Sequence, residues 1–189
     1  MIETLLIAIL VSYKKGYDLK FLWKEKAFYP LFICEGIYWI IQILLFNGNY
    51  VFLPYVHLFK TLYLCSTLFI VFRFELYKYA LLGSVCVIIG GWCNDLAIWA
   101  NGGKMPVFPT LSHLTGYATP NMFGVVDQLH ILGSSATNLK ILTDYIDLGY
   151  SILSIGDVLI RLLPFILLYQ GLKYANLQKS LCCHLQEEN

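Results

Sequence analysis

Six side chains stand out in this 189-residue chain because of where they fall: Glu35, His57, Lys60, Asp95, Asp157 and Arg161 interrupt long apolar runs. An unpaired charge at the centre of a membrane helix costs roughly 2.5–3.5 kcal/mol on insertion scales, so such residues are functional candidates by default. Three acids and two permanent cations nearly cancel, as buried charges should. Asp157 and Arg161 are spaced i, i+4, so they share a helix face and can pair directly. His57 and Lys60 share a face of another helix. Glu35 can reach Lys60 or Arg161 across a bundle. Pro164 frees the carbonyl of Ile160 near this layer and invites a kink. The chemistry open to this set is binding of a small ion or polar molecule. The competing reading is a set of satisfied ion pairs that fix helix register.

A second group follows Asp95. Asn101-Gly102-Gly103-Lys104-Met105-Pro106 leaves the apolar run through a glycine turn. Two glycines permit backbone angles that other residues resist. Their N–H groups can form an anion-binding nest with Lys104 beside it. Other chemistries find weaker support. His113, Asp127, His130, Asp144 and Asp147 share a loop, but the chain has no HExxH, no paired Cys/His spacing, no phosphate loop and no Gly-x-Ser-x-Gly elbow. No metal, cofactor or catalytic residue is therefore assigned. A thiol site would need His57 and Cys65, which stand about 80° apart on one helix. The six cysteines lie mostly in apolar runs and read as small apolar fillers.

The elements that must position these groups are membrane spans. Of all residues 58% are hydrophobic and only 13% charged, about half the charge of a soluble domain. Four runs approach the ~20 residues that a spanning helix needs: Ala27 to Phe46, Val51 to Phe72, Ala80 to Ala100 and Ile152 to Gly171. A shorter run, Ile2 to Tyr13, reads as a first span rather than a signal peptide, because Glu3 replaces a basic start and lysines follow it. Basic residues cluster in Lys14 to Lys26, in Arg73 to Lys78 and after span five, which puts the N-terminus outside and the C-terminus inside. The Lys14–Lys26 segment, with Phe21 and Trp23 among its lysines, can also rest on an anionic inner leaflet.

Counted at ~1.5 Å per residue, Asp95 and Asp157 come out about 7.5 Å below the outer surface, Lys60 and Arg161 about 13 Å, and Glu35 about 18 Å. Cys86, Gly90 and Asn94 give span four a small-residue face for close packing. Residues 101–151 form an apolar outer loop that packs on the bundle mouth as a lid. Within it Met122, Val126 and Leu129 give a short helix an apolar face, with Asp127 and His130 opposite. A net charge of +1 gives no reason to expect nucleic acid.

The Asn101–Pro106 turn, the His130 loop and Ser154-Ile155-Gly156-Asp157-Val158-Leu159-Ile160 together resemble a family of small bacterial membrane proteins, the domain of unknown function 5317 family. The resemblance extends over most of the chain and implies a five-span bundle in a bacterial cytoplasmic membrane. It implies no activity. Its motif positions here are Asn101, Gly102, Gly103, Met105, Pro106, Gly156 and Asp157; Lys104 stands where arginine is common, which keeps charge without bidentate geometry.

The expectation is an all-α, five-span single domain with an outward polar pocket roofed by residues 101–151. Its leading function is non-enzymatic: binding or translocation of a small polar or ionic ligand, alone or as a subunit of a membrane complex. The expected ligand-binding residues are Asp95, Asn101, Gly102, Gly103, Lys104, Asp157, Arg161, Lys60, His57 and Glu35. The alternatives are an intramembrane enzyme acting on a lipid headgroup or peptide, and a scaffold whose charges only assemble helices. Partners are the lipid bilayer and either another membrane protein or further copies of the chain.

Overall fold

The computed structural model describes residues 1–118 and 129–187. It is mostly helical. In chain order the elements are α1 (Ile2–Lys14), α2 (Phe21–Lys24), α3 (Tyr29–Phe46), α4 (Val56–Ser66), α5 (Leu68–Phe74), α6 (Tyr77–Ala100), β1 (Met105–Val107), α7 (Leu111–Thr115), β2 (His130–Leu132), β3 (Ile146–Asp147), β4 (Ile152–Leu153) and α8 (Ile155–Glu187). Among the described residues four helical stretches are long and apolar enough to cross a membrane: Lys26–Phe46, Val56–Phe74, Tyr77–Ala100 and Ile155–Lys179.

Two of the expected runs change their bounds, and the first nearly keeps its bounds but is short. The thirteen residues of α1, at ~1.5 Å each, fall short of a hydrocarbon core ~30 Å thick. The third run breaks at Thr67, where Ser66 Oγ donates to the Tyr63 carbonyl and Thr67 Oγ1 to the Leu64 carbonyl, both at 2.6 Å. Such back-bonding competes with the helical ladder. The fifth run opens as strand: Ile152 and Leu153 form β4, and the helix starts at Ile155.

The chain divides into two compact units. The first comprises Met1–Tyr38, His57–Ser84 and Arg161–Asn189. Its core holds Phe28, Leu31, Ile70, Leu167, Leu168 and Leu172. Gly171 lets Ile70 and Phe28 come close, since a Cβ there would stand 2.8 Å from Ile70 Cγ2. The basic segment is tied down by its own acids. Arg73 reaches Glu25 with two N–H groups at 3.0 and 3.3 Å. The Asp18 amide donates to Asn176 Oδ1 at 2.7 Å, and Lys179 pairs with Asp18 at 3.6 Å.

The second unit comprises Trp39–Val56 and Val85–Ile160. Here the segment between α6 and α8, expected to form a lid, has strands as well as a helix among its described residues. β1 pairs with β2 in parallel, from Met105↔His130 to Val107↔Leu132, and β3 with β4 antiparallel around the Gly149 turn. His130 therefore sits on a strand and not on the expected helix face; Met122, Val126 and Asp127 lie outside the described residues. The C-terminal end of α3 joins this unit through the Gln42 side chain, which donates to the Tyr150 carbonyl, and through the facing rings of Trp39 and Tyr150.

Candidate functional site

The first unit contains a buried polar cluster. Arg161 stands six residues into α8 and is 8% exposed. Its guanidinium Nη1 donates to Glu3 Oε2 at 3.0 Å, the carboxylate that as a sequence feature argued only against a signal peptide. The Met1 ammonium lies 3.4 Å from Glu3 and 3.7 Å from Glu35. Glu35 is 5% exposed, and Tyr63, 1% exposed, faces it from α4. Among the described residues neither Glu35 oxygen and not the Tyr63 hydroxyl meets a hydrogen-bond partner of normal geometry. Lys60 is half-buried in the same unit, while His57 and Cys65 are exposed.

The second unit uses its polar residues to join α6 and α8. Ser154 caps α8: its Oγ accepts the Asp157 amide at 2.9 Å, and its own amide donates to Asp157 Oδ2 at 3.3 Å. This reciprocal pair is a capping box, with acid favoured at the positive helix end. The Ser154 hydroxyl then donates to Asn94 Oδ1 at 2.7 Å. Asp157 thus belongs to the first helical turn and lies nearer the helix end than the depth count placed it. Asp95, counted as its counterpart, is exposed.

The glycine turn also has a defined job. Gly102 and Gly103 adopt φ of +68° and +82°. The Gly103 amide donates to the Ile98 carbonyl at 2.9 Å and the Gly102 amide to the Trp99 carbonyl at 3.4 Å. These N–H groups close the end of α6 and are directed away from the expected anion nest. Asn101 clasps the lid: its Nδ2 donates to the Ala97 and Asn138 carbonyls at 2.8 and 2.9 Å, and its Oδ1 accepts the Asn138 amide at 2.9 Å. Lys104 is exposed beside this turn.

Asp147 is the hydrogen-bonding hub of the segment between α6 and α8. It accepts the amides of Thr110 (2.6 Å), Ser112 (2.8 Å) and Gly149 (2.8 Å), and the Ser112 hydroxyl. Burial opposes its ionisation, but the Ser112 hydroxyl and these amides outweigh that and hold its carboxyl down to about 2. A folded value below the ordinary ~3.9 stabilises the lid above that ordinary value, and the contribution is lost as pH falls through the folded one. Exchange protection of the Thr110, Ser112 and Gly149 amides, taken relative to the intrinsic rate at each pH, should therefore fall between about pH 4 and pH 2; protection that stays flat over this window would exclude the hub. His130 Nε2 lies 3.4 Å from Asp144 Oδ2, and the described residues contain no cluster of three metal-ligating side chains.

The structure thus brings Glu35 and Arg161 into one unit and makes caps and clasps of Asp157 and Asn101 to Gly103. Sequence reasoning missed Tyr63 and Gln42, and it named Glu3, Asn94 and Asp147 for other reasons: a non-basic start, a small packing residue and one of five loop residues weighed for a metal. Ser154 three residues before Asp157 is the one legible capping signal among their contacts. Comparison with known proteins adds one match: the sequence model of a family of unknown function, DUF5317, matches residues 18–169. No curated protein and no solved structure matches the chain.

Proposed function

The chain belongs to DUF5317, a family of unknown function, and from its geometry we propose a multi-pass membrane protein that binds or helps move a small polar or ionic ligand. The observation that carries this reading is the buried Glu35–Tyr63 pair, in which no oxygen makes a hydrogen bond of normal geometry among the described residues and the Met1 ammonium stands 3.7 Å from the carboxylate. Buried polar atoms are almost always well satisfied, so an incompletely bonded pair points to a role. Two carboxylate oxygens and a phenol call for a ligand that presents hydrogen-bond donors. Arg161, held by Glu3, sets the charge around them.

The four long helices cross a bacterial cytoplasmic membrane in this reading, and α1 is a partial span. The Lys14–Lys26 segment and the Arg73–Lys78 turn face the cytoplasm, because basic residues gather there. Residues 101–151 face outward.

A second reading has its own support. The Ser154–Asp157 box and the Asn101 clasp spend their polar groups on structure, as a scaffold subunit would. One experiment separates the two. Purified protein in lipid nanodiscs is screened by thermal shift against ammonium, primary amines and amino acids. The ligand reading expects stabilisation by at least one of them, lost in Glu35→Gln and Tyr63→Phe. A scaffold expects no compound to stabilise wild type beyond those variants, and that result would overturn the ligand reading.

A further inference from the structure

The basic segment between α1 and α3 contains one ordered turn. The Trp23 and Lys24 amides donate to the Lys20 carbonyl at 3.2 and 3.1 Å. Lys20, Trp23 and Lys24 therefore share one face at i, i+3 and i+4. All three are exposed, Trp23 to 75%. Leu22 between them is buried and anchors the turn. The Tyr29 hydroxyl donates to the Trp23 carbonyl at 2.6 Å, and the indole stacks on Phe32 with ring centroids 6.4 Å apart. The turn is thus fixed to the start of α3 while its lysine face stays open.

Positive charge is left over on that face. Residues 14–26 hold five lysines and two acids. Both acids are taken by cations from other helices: Glu25 by Arg73 of α5, and Asp18 by Lys179 of α8. Asp18 also feels the charge of Lys20. Neither the Lys20 nor the Lys24 ammonium forms an ion pair among the described residues.

An apolar track continues from the indole. Tyr29, Phe32, Ile33 and Ile37 share a face of α3 at i, i+3, i+4 and i+8. Tyr29, Ile33 and Ile37 are exposed. Gly36 falls on the same face and leaves it open, since nothing lies within 4 Å of a Cβ there. The order is two cations, an amphipathic ring of the kind that sits at headgroup level, then an apolar row on a candidate span. A phospholipid has the same order: phosphate, glycerol, acyl chain. A soluble phosphate would engage only the two cations.

We propose that Lys20 and Lys24 hold the phosphate of an anionic phospholipid, with its glycerol on Trp23 and one acyl chain along Tyr29, Ile33 and Ile37. The site rests on the membrane reading above and is independent of any ligand at Glu35.

The test uses the full chain in nanodiscs, with Trp39, Trp92 and Trp99 replaced by phenylalanine so that Trp23 is the sole indole. Phosphatidylglycerol or phosphatidylcholine with brominated chains is titrated into plain phosphatidylcholine, and Trp23 fluorescence is followed. Brominated phosphatidylglycerol should half-quench at about tenfold lower mole fraction, the order expected of lysines at an anionic surface. Lys20→Gln with Lys24→Gln should erase that preference. Lys15→Gln with Lys78→Gln removes the same charge from two other exposed lysines and should keep it. Wild type weighed by native mass spectrometry from mixed-lipid discs should likewise retain phosphatidylglycerol, and the Lys20/Lys24 variant should not. Equal quenching by the two lipids would overturn the site and leave the membrane reading standing. Loss of preference in both double variants would overturn it too, by showing diffuse surface charge. Quenching by neither lipid would overturn the membrane reading together with the site.

Discussion

Arg161→Met should lower the unfolding free energy of the bundle by about 3–5 kcal/mol, the usual penalty for removing one partner of a buried ion pair. Denaturant titration in detergent micelles, followed by circular dichroism, reads it directly. The variant keeps most of the side-chain volume, so the loss reports charge and not a cavity. Glu3 would lose the guanidinium at 3.0 Å, and Glu35 would lose the nearby positive field. The double variant Glu3→Gln with Arg161→Met should recover part of the loss, because it removes the stranded carboxylate as well. A cost below about 1 kcal/mol, the level of an exposed pair, would show that solvent reaches this cluster.

The second large effect belongs to Gly156. A Cβ at this position would stand 2.1 Å from Asn94 Oδ1 and 2.5 Å from the Gly90 carbonyl oxygen. Neither atom can retreat easily: one is bonded to Ser154 and the other is backbone. Gly156→Val should therefore cost at least the ~1–3 kcal/mol of ordinary overpacking, seen as a lower melting temperature in nanodiscs. Gly91 is the internal control. Nothing lies within 4 Å of a Cβ there, and alanine favours a helix over glycine by ~0.8–1.0 kcal/mol. Gly91→Ala should be neutral or stabilising. Equal melting of the Gly156 and Gly91 variants would remove the close crossing of α6 and α8.

What the sequence made legible is what composition and length control. The four long apolar runs coincide with four candidate spans because bilayer thickness sets helix length. The Cys86-Gly90-Asn94 face proved to be a crossing point at Gly90 and Asn94 for the same general reason: small residues admit a neighbour. Depth counting was less secure, because it assumed helix from the first apolar residue. Ile152 and Leu153 are strand, so Asp157 moved to the helix cap and lost its match with Asp95. Glu3 and Tyr63 were hidden for another reason. Their importance comes from side chains distant in sequence, Arg161 and Glu35, and no local pattern announces such a meeting. The hub role of Asp147, which the sequence offered only as one of five loop residues weighed for a metal, was hidden likewise, since its donors at Thr110 and Ser112 lie over thirty residues away.

The Asn101–Asn138 clasp bears on the order in which the second unit assembles. Bringing Ser154 to Asn94 without it closes a chain of about fifty residues from the end of α6. With the clasp formed, only the sixteen residues from Asn138 to Ser154 remain free. Loop-closure entropy grows as (3/2)RT ln n, so this shortcut lowers the closure cost by about 1 kcal/mol. The NGG turn would then act as a folding guide: it seals α6, gathers the lid, and delivers the start of α8 to its docking place.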